Sequence, residues 1–221
     1  MCGRFTLTVE LSEIQQDFGA TIDGEVNAWV PRYNIAPTQQ ILTIQNPLNR
    51  IIQPMRWGLI PFWAKNEDIG NQLINARSES LAEKPSFRRS LQNKRCLILA
   101  DGFYEWKTEE GKGKTPYYFR LKDQRVFTFA GLWDEWSDKE GNTVLSCTII
   151  TCNANEFVAS FHQRMPVILD KDHCWEWLED EAPRNFRSIL VPYPSEEMEA
   201  YPVDRAVNDP KRDHPDLIRP I

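Results

Sequence analysis

The 221-residue sequence has no apolar run that approaches a membrane span: stretches such as LILA at 97 to 100 fall far short of the roughly 20 residues a crossing helix needs. Its opening, MCGRFTLTVELSEIQQDF, shows no basic flank ahead of an apolar block, so we expect no secretory signal, no membrane contact and a cytoplasmic location. Cysteine is scarce and odd in number, five in all, which argues for reduced thiols over a disulfide scaffold. Cys96, Cys147 and Cys174 stand in apolar or amphipathic runs and read as small core residues. Cys147, Cys152, His173 and Cys174 lack the paired C-x-x-C spacing of a zinc site, so no metal is assigned. Internal repeats and low-complexity linkers are also missing, and a single domain over 1 to 221 is expected.

A basic excess is absent as well, since the net charge is -6. The charge is unevenly spread, however: residues 75 to 125 carry 12 basic and 7 acidic side chains, and residues 126 to 221 carry 9 and 18. Screening confines each charge to about 8 Å, so a locally basic middle can line a phosphate-binding cleft inside an acidic protein. A solvated basic face accounts for the same numbers. On the DNA reading, the acidic final segment belongs on the outer face.

What is present is a chain of short strands with a few helices. Leu11, Ile14 and Phe18 recur at helical spacing, with Thr8 as cap and Gly19 as stop. From 29 to 63, Pro31, Pro37, Pro47, Pro54 and Pro61 separate short apolar pieces, which predicts loops and edge strands. SLAEKPSFRRSLQN predicts a helix broken around Pro85, and RCLILA, Asp101, Gly102 and FYEW read as a strand–turn–strand hairpin. PYYFRL, VFTFAGLW, LSCTIIT and MPVILD predict further strands. Asn153 and Glu156 form a capping-box pattern, and Asp170 is placed to cap a helix through Trp175 and Leu178. The sum is an α+β fold with an antiparallel β-sheet core, barrel-like, and short peripheral helices.

Cys2 follows the initiator methionine, and a small second residue leaves Met1 open to removal. A terminal cysteine then presents an α-amine and a thiol on adjacent carbons. At pH 7 roughly a tenth of such an amine is unprotonated, against about 0.04% of an ordinary lysine. It attacks aldehydes readily, and the thiol can close on the resulting imine to give a five-membered thiazolidine.

The blocks CGRF at 2 to 5, RYNIAPTQ at 32 to 39, RWGLIPFW at 56 to 63, INARSE at 74 to 79, CLILADGFYEWK at 96 to 107, HQRMPVIL at 162 to 169 and VNDPKRDHPDLIRPI at 207 to 221 together resemble the SOS response-associated peptidase family, end to end and in family order. The resemblance implies a DNA-damage protein that binds single-stranded DNA and junctions, crosslinks to abasic sites through its terminal cysteine, and removes whatever precedes that cysteine. A ring-opened abasic site is an aldehyde, the electrophile that an aminothiol calls for. The resemblance places the catalytic positions on Cys2, Asn75, Glu105 and His162. It assigns Glu105 to proton shuttling, His162 to protonating the sugar ring oxygen, and Asn75 to positioning the amine or aldehyde oxygen. On an alternating strand, Glu105 faces away from Tyr104 and Trp106, and an apolar setting would raise its carboxyl.

Arg4, Arg77 and Arg164 stand beside these blocks, and an arginine fork suits phosphate oxygens. Trp57, Phe62 and Trp63 lie in a proline-rich segment where exposed aromatics stack on bases. Asn34 and Pro37 are expected, by family analogy, to shape the DNA-binding loop. The expected partner is abasic-site single-stranded DNA, bound by a monomer without metal or cofactor. Two rivals stand beside this reading: an N-terminal-nucleophile hydrolase in which the Cys2 thiol attacks an amide, and a noncovalent junction-binding module in which Cys2 is incidental. If the terminal amine is not the nucleophile, a lysine such as Lys107 becomes the candidate.

Overall fold

The computed structural model describes residues 2–22, 26, 29–109, 111, 113–123, 125–170, 173–179 and 186–221. The strands are β1 (Phe5–Leu7), β2 (Thr21–Ile22), β3 (Arg32–Ile35), β4 (Gln40–Ile44), β5 (Ile51–Trp57), β6 (Asn75–Arg77), β7 (Arg95–Ala100), β8 (Gly102–Glu109), β9 (Gly113–Leu121), β10 (Phe127–Ser137), β11 (Thr143–Asn153), β12 (Arg164–Pro166), β13 (Ile168–Leu169) and β14 (Met198–Pro202). The helices are α1 (Leu11–Phe18), α2 (Pro85–Asn93), α3 (Glu156–Ala159), α4 (His173–Glu179) and α5 (Phe186–Ile189). No helix among the described residues is long and apolar enough to cross a membrane.

Strands β11, β10, β7, β4 and β5 pair in that order, and β5 returns to β11, which closes a five-stranded barrel. A second, antiparallel sheet in the order β14-β9-β8-β1-β3 packs against it. Phe5 and Phe103 from that sheet meet barrel residue Phe129 at 5.7 and 6.2 Å between ring centroids, and Phe5 meets Trp57 at 5.1 Å. Burying these rings between the two sheets supplies the apolar contact that holds the layers together. The expected α+β barrel is present, with parallel pairings of β5 and β6 to β11 and of β2 to β5 set into an otherwise antiparallel core.

Several local expectations are corrected. The proline-rich segment holds β3, an edge strand as expected, but also β4 and β5, which lie inside the barrel wall. Pro54 is tolerated because β5 bonds β2 at Ile51 and Ile52 and β11 at Arg56 and Trp57, leaving Pro54 in the gap where its missing N–H interrupts no ladder. Pro85 does not break a helix but starts α2 at its first turn, where an N–H has no intrahelical partner. Beta strands β7 and β8 are not a hairpin: β7 pairs with β10 and β4, β8 with β9 and β1, and Asp101 marks the corner between sheets. Thr8 does not cap α1, because its hydroxyl donates to Asp101 at 2.5 Å, while Gly19 ends that helix at φ +57° as expected. Asn155, not Asn153, caps α3 by accepting from the Val158 N–H, whereas Asp170 does accept from the His173 N–H at the start of α4.

Gly102 sits at the corner with its α-carbon against the Tyr118 ring, so that an added Cβ would lie 2.2 Å from the tyrosine Oη. Tyr118 is buried and its hydroxyl is 3.0 Å from Thr6 Oγ1, so the ring cannot swing clear. Gly102→Ala should therefore destabilise the protein by about 1–3 kcal/mol, read as a lower urea midpoint with an unchanged slope. An unchanged midpoint would show that the corner is slack.

Candidate active site

Cys2 is fully buried just ahead of β1. Its carbonyl accepts a hydrogen bond from Asn75 Nδ2 at 2.8 Å, and its Sγ lies 3.8 Å from the Arg4 carbonyl. Asn75 reaches this point because β6 runs parallel to β11, with Asn75 opposite Ile149. The Asn75 Oδ1 is buried and accepts no hydrogen bond, leaving an acceptor open beside Cys2.

Glu105 approaches from β8. Its neighbour Tyr104 packs in a second apolar cluster with Val203, Val207 and Leu217, so alternation turns the carboxyl to the other face, where it is 4% exposed. Burial raises the Glu105 carboxyl above the usual range, against the opposing pull of the chain's positive amino terminus and of His162. Burial, and then the Glu105 charge, push the Cys2 thiol up in turn, so the thiol stays protonated. These effects place Glu105 within electrostatic reach of both Cys2 and His162.

His162 lies beyond α3, its N–H bonded to the Val158 carbonyl at 3.0 Å. Adjacent Phe161 packs at 4.8 Å on Tyr117, the residue paired across the sheet with Glu105, and this aromatic contact brings the histidine loop to the site. The Arg164 N–H donates to His162 Nδ1 at 2.9 Å. Nδ1 also lies 3.2 Å from the Arg164 carbonyl, so both backbone groups of Arg164 hold the ring by that nitrogen. The Lys107 ammonium sits 5.1 Å over the Phe161 ring.

The expected DNA-contact residues divide. Arg77 is exposed, as are Phe62 and Trp63 at 49% and 47%, with the Arg89 guanidinium 4.1 Å over the Phe62 ring. Pro37 is half-buried, ahead of Thr38 at φ +73°. Trp57 is corrected: it is completely buried, its Nε1 donating to the Ile74 carbonyl at 2.9 Å, and no face remains for a base. Asn34 is also fully buried, and its Nδ2 donates to the carbonyls of Val207, Asp209 and Arg212. Arg4 donates to Asn34 Oδ1 at 2.6 Å and to the Val207 carbonyl at 2.8 Å, and burial lowers its guanidinium. Arg4 and Asn34 thus clamp the C-terminal segment over β1 and β3. Arg164 bonds both Glu79 oxygens at 2.6 and 2.9 Å, Asn153 Oδ1 at 2.8 Å and the Thr151 carbonyl at 2.6 Å. Its fork is occupied internally, and it anchors the His162 loop to β11. Glu79 lay in the INARSE block but carried no sequence signal of its own, because its partner is 85 residues away.

Among the described residues, no three His, Cys, Asp or Glu side chains gather as metal ligands. The SOS response associated peptidase family model matches residues 1–210. The chain belongs to that family. It is 48% identical over 221 residues to the abasic site processing protein YoqW of Bacillus subtilis, covering 99% of each chain. It is 35% identical over 196 residues to the abasic site processing protein HMCES of Gallus gallus, covering 78% of this chain and 58% of that one. Among solved structures, a protein from Bacteroides thetaiotaomicron superposes with a TM-score of 0.90 at 28% identity over the whole of both chains. One from Bordetella bronchiseptica gives 0.79 at 28% identity over 92% of this chain and all of that one.

Burial of Glu105 has a measurable consequence for stability. A carboxyl raised in the folded state contributes stability that is fully present below the unfolded value of about 4.3 and is lost as pH rises through the folded value. Glu105→Gln escapes that loss. Its melting temperature relative to the parent should be lowest near pH 4 and climb through pH 8 in thermal melts. A difference that stays constant with pH would mean the carboxyl is not raised.

Proposed function

We propose that the chain recognises abasic sites in single-stranded DNA and at junctions, and captures their aldehyde as a thiazolidine on Cys2. The observation that carries this reading is the Asn75 amide bonded to the carbonyl of a cysteine next to the chain start, with the buried, raised Glu105 carboxyl within electrostatic reach of that cysteine and of His162. Its relatives YoqW and HMCES are named abasic site processing proteins.

Water first hydrolyses the Met1–Cys2 bond in a self-processing step, freeing the Cys2 amine. An imidazolium at His162 gives a proton to the ring oxygen of the abasic sugar while water takes the C1′ hydroxyl proton, and C1′ opens to the aldehyde. The Cys2 nitrogen adds to C1′, forming a carbinolamine, and the open Asn75 Oδ1 accepts an amine N–H to aim the attack. Glu105, its carboxyl raised by burial, relays a proton to the departing hydroxyl, and one water leaves with formation of the imine. The Cys2 sulfur then adds to the imine carbon; its proton passes to the nitrogen by way of Glu105, and the five-membered ring closes. The protein acts as a monomer, on intracellular DNA, and no step calls on a metal or cofactor.

The hydrolase alternative needs a ready thiolate, and a fully buried thiol pushed upward by burial and a neighbouring carboxyl is the opposite. The aminothiol route tolerates a neutral thiol until the imine is present.

Incubation with abasic-site single-stranded DNA should give an adduct that survives a denaturing gel. Cys2→Ser with Met1 removed should still form an imine that borohydride captures, but no stable adduct without reduction. A chain acetylated on Cys2 should form neither, and Glu105→Gln or His162→Ala should slow crosslinking. Crosslinking by the acetylated chain at the parental rate would sink the aminothiol mechanism and turn attention to Lys107.

Arg77 is the exposed arginine of the three phosphate candidates. Arg77→Ala should lower affinity for intact single strands and reduce the slope of log affinity against log salt by about 0.7, the contribution of one single-strand phosphate. Arg4→Ala and Arg164→Ala should act chiefly on stability and on the His162 loop. Equal salt slopes for parent and Arg77→Ala would remove Arg77 from the interface.

A further inference from the structure

A cavity of about 400 Å³ opens where the end of β11 meets the chain following α5. It lies beside the candidate active site without sharing its reactive residues. Ser78 directly follows Arg77 and stands three residues from Asn75, and Asn153 is the register partner of Arg164, two residues from His162. At about 3.3 Å per strand residue, the cavity begins about 10 Å from Asn75.

Its walls differ in character. Cys152, Leu190, Val191 and Pro192 give the cavity apolar lining, the Cys152 thiol held neutral by burial that pushes it up to about 12. Ser78 and Asn153 supply polar groups. The Asn153 Oδ1 is held by Arg164, which turns the amide's N–H donors away from that arginine. Glu79 also lines the cavity, but it is exposed and its carboxylate is already paired with Arg164 through both oxygens. Exposed Arg187 lines the cavity as well and suits a phosphate of an attached strand. Apolar side chains beside two neutral polar ones and a free-standing arginine suit a neutral heteroaromatic ring attached to a phosphodiester strand. The volume is within the range that small-molecule sites occupy.

We propose that this cavity takes the nucleobase next to the abasic position, so that the protein reads a neighbouring base as well as the missing one. This rests on the DNA reading above and adds a second subsite to it. Val191, 48% exposed, stands at the mouth, where a larger side chain blocks entry without disturbing the core.

The test uses fluorescence anisotropy with short single strands carrying a central tetrahydrofuran, which lacks the aldehyde and cannot crosslink. Neighbouring nucleotides either keep their bases or are themselves tetrahydrofuran, on the 5′ side, the 3′ side or both. Wild-type protein should bind at least about fivefold more tightly when one particular side keeps its base. Val191→Trp, with an unchanged melting temperature, should lose that preference while binding the strand with both neighbours baseless as well as the parent does. Parental indifference to both neighbours, or full preference retained in Val191→Trp, overturns the proposal. Adduct formation is assayed separately on true abasic strands. A flanking-base preference without any adduct would refute the covalent reading and keep the cavity's role; an adduct without a preference would do the reverse.

Discussion

Strand β11 is buried from Ser146 to Cys152, and each of its backbone groups must find a partner away from water. No single strand covers it. On one edge β10 pairs as far as Ile149 and β12 takes over from Thr151; on the other, β5 covers Ser146 and Cys147 and β6 covers Ile149 to Thr151. This shared satisfaction closes the barrel and delivers Asn75, on β6, and the His162–Arg164 turn, leading into β12, to the same end of β11. The catalytic candidates meet because the backbone of one strand has to be satisfied by four.

The second sheet supplies the other half of the site. Glu105 comes from β8 and Cys2 from the approach to β1, which pairs with β8 through Phe5 and Phe103. The C-terminal segment locks this sheet from outside: Asn34 holds three of its carbonyls, Val203, Val207 and Leu217 pack with Tyr104, and Trp106 Nε1 donates to Asn208 Oδ1 at 2.8 Å. Alternation along β8 therefore serves two tasks at once. Tyr104 and Trp106 grip the tail, and Glu105 between them is driven into a low-dielectric interior that raises its carboxyl.

Burial at Cys2 and Glu105 is costly for folding, because neither charged form is well solvated there. The same burial matches the chemistry of imine formation, which needs a proton donor near neutral pH and no premature thiolate. Arg164 shows the complementary arrangement: a charge inside the fold is paired with Glu79 and further bonded to Asn153 and Thr151, and its own N–H holds the His162 ring.

The sequence by itself determined the residue types that can react with an aldehyde, the short-strand α+β character, the buried cysteines of the core and the outward and inward faces of β8. These depend on local pattern: a cysteine next to the chain start, β-branched and aromatic runs, and the two-residue period of a strand. It did not show that Trp57, Asn34, Arg4 and Arg164 spend their donors inside the fold, and it took the Asp101–Gly102 corner for a hairpin. Those roles were decided only in the tertiary structure, because each turns on a partner remote in the chain: Ile74 for Trp57, Val207 for Arg4 and Asn34, Glu79 for Arg164, Thr6 and Thr8 for Asp101. A side chain's chemistry is written in its own letter, but whether its donors face solvent or another segment depends on which backbone groups folding leaves unsatisfied nearby.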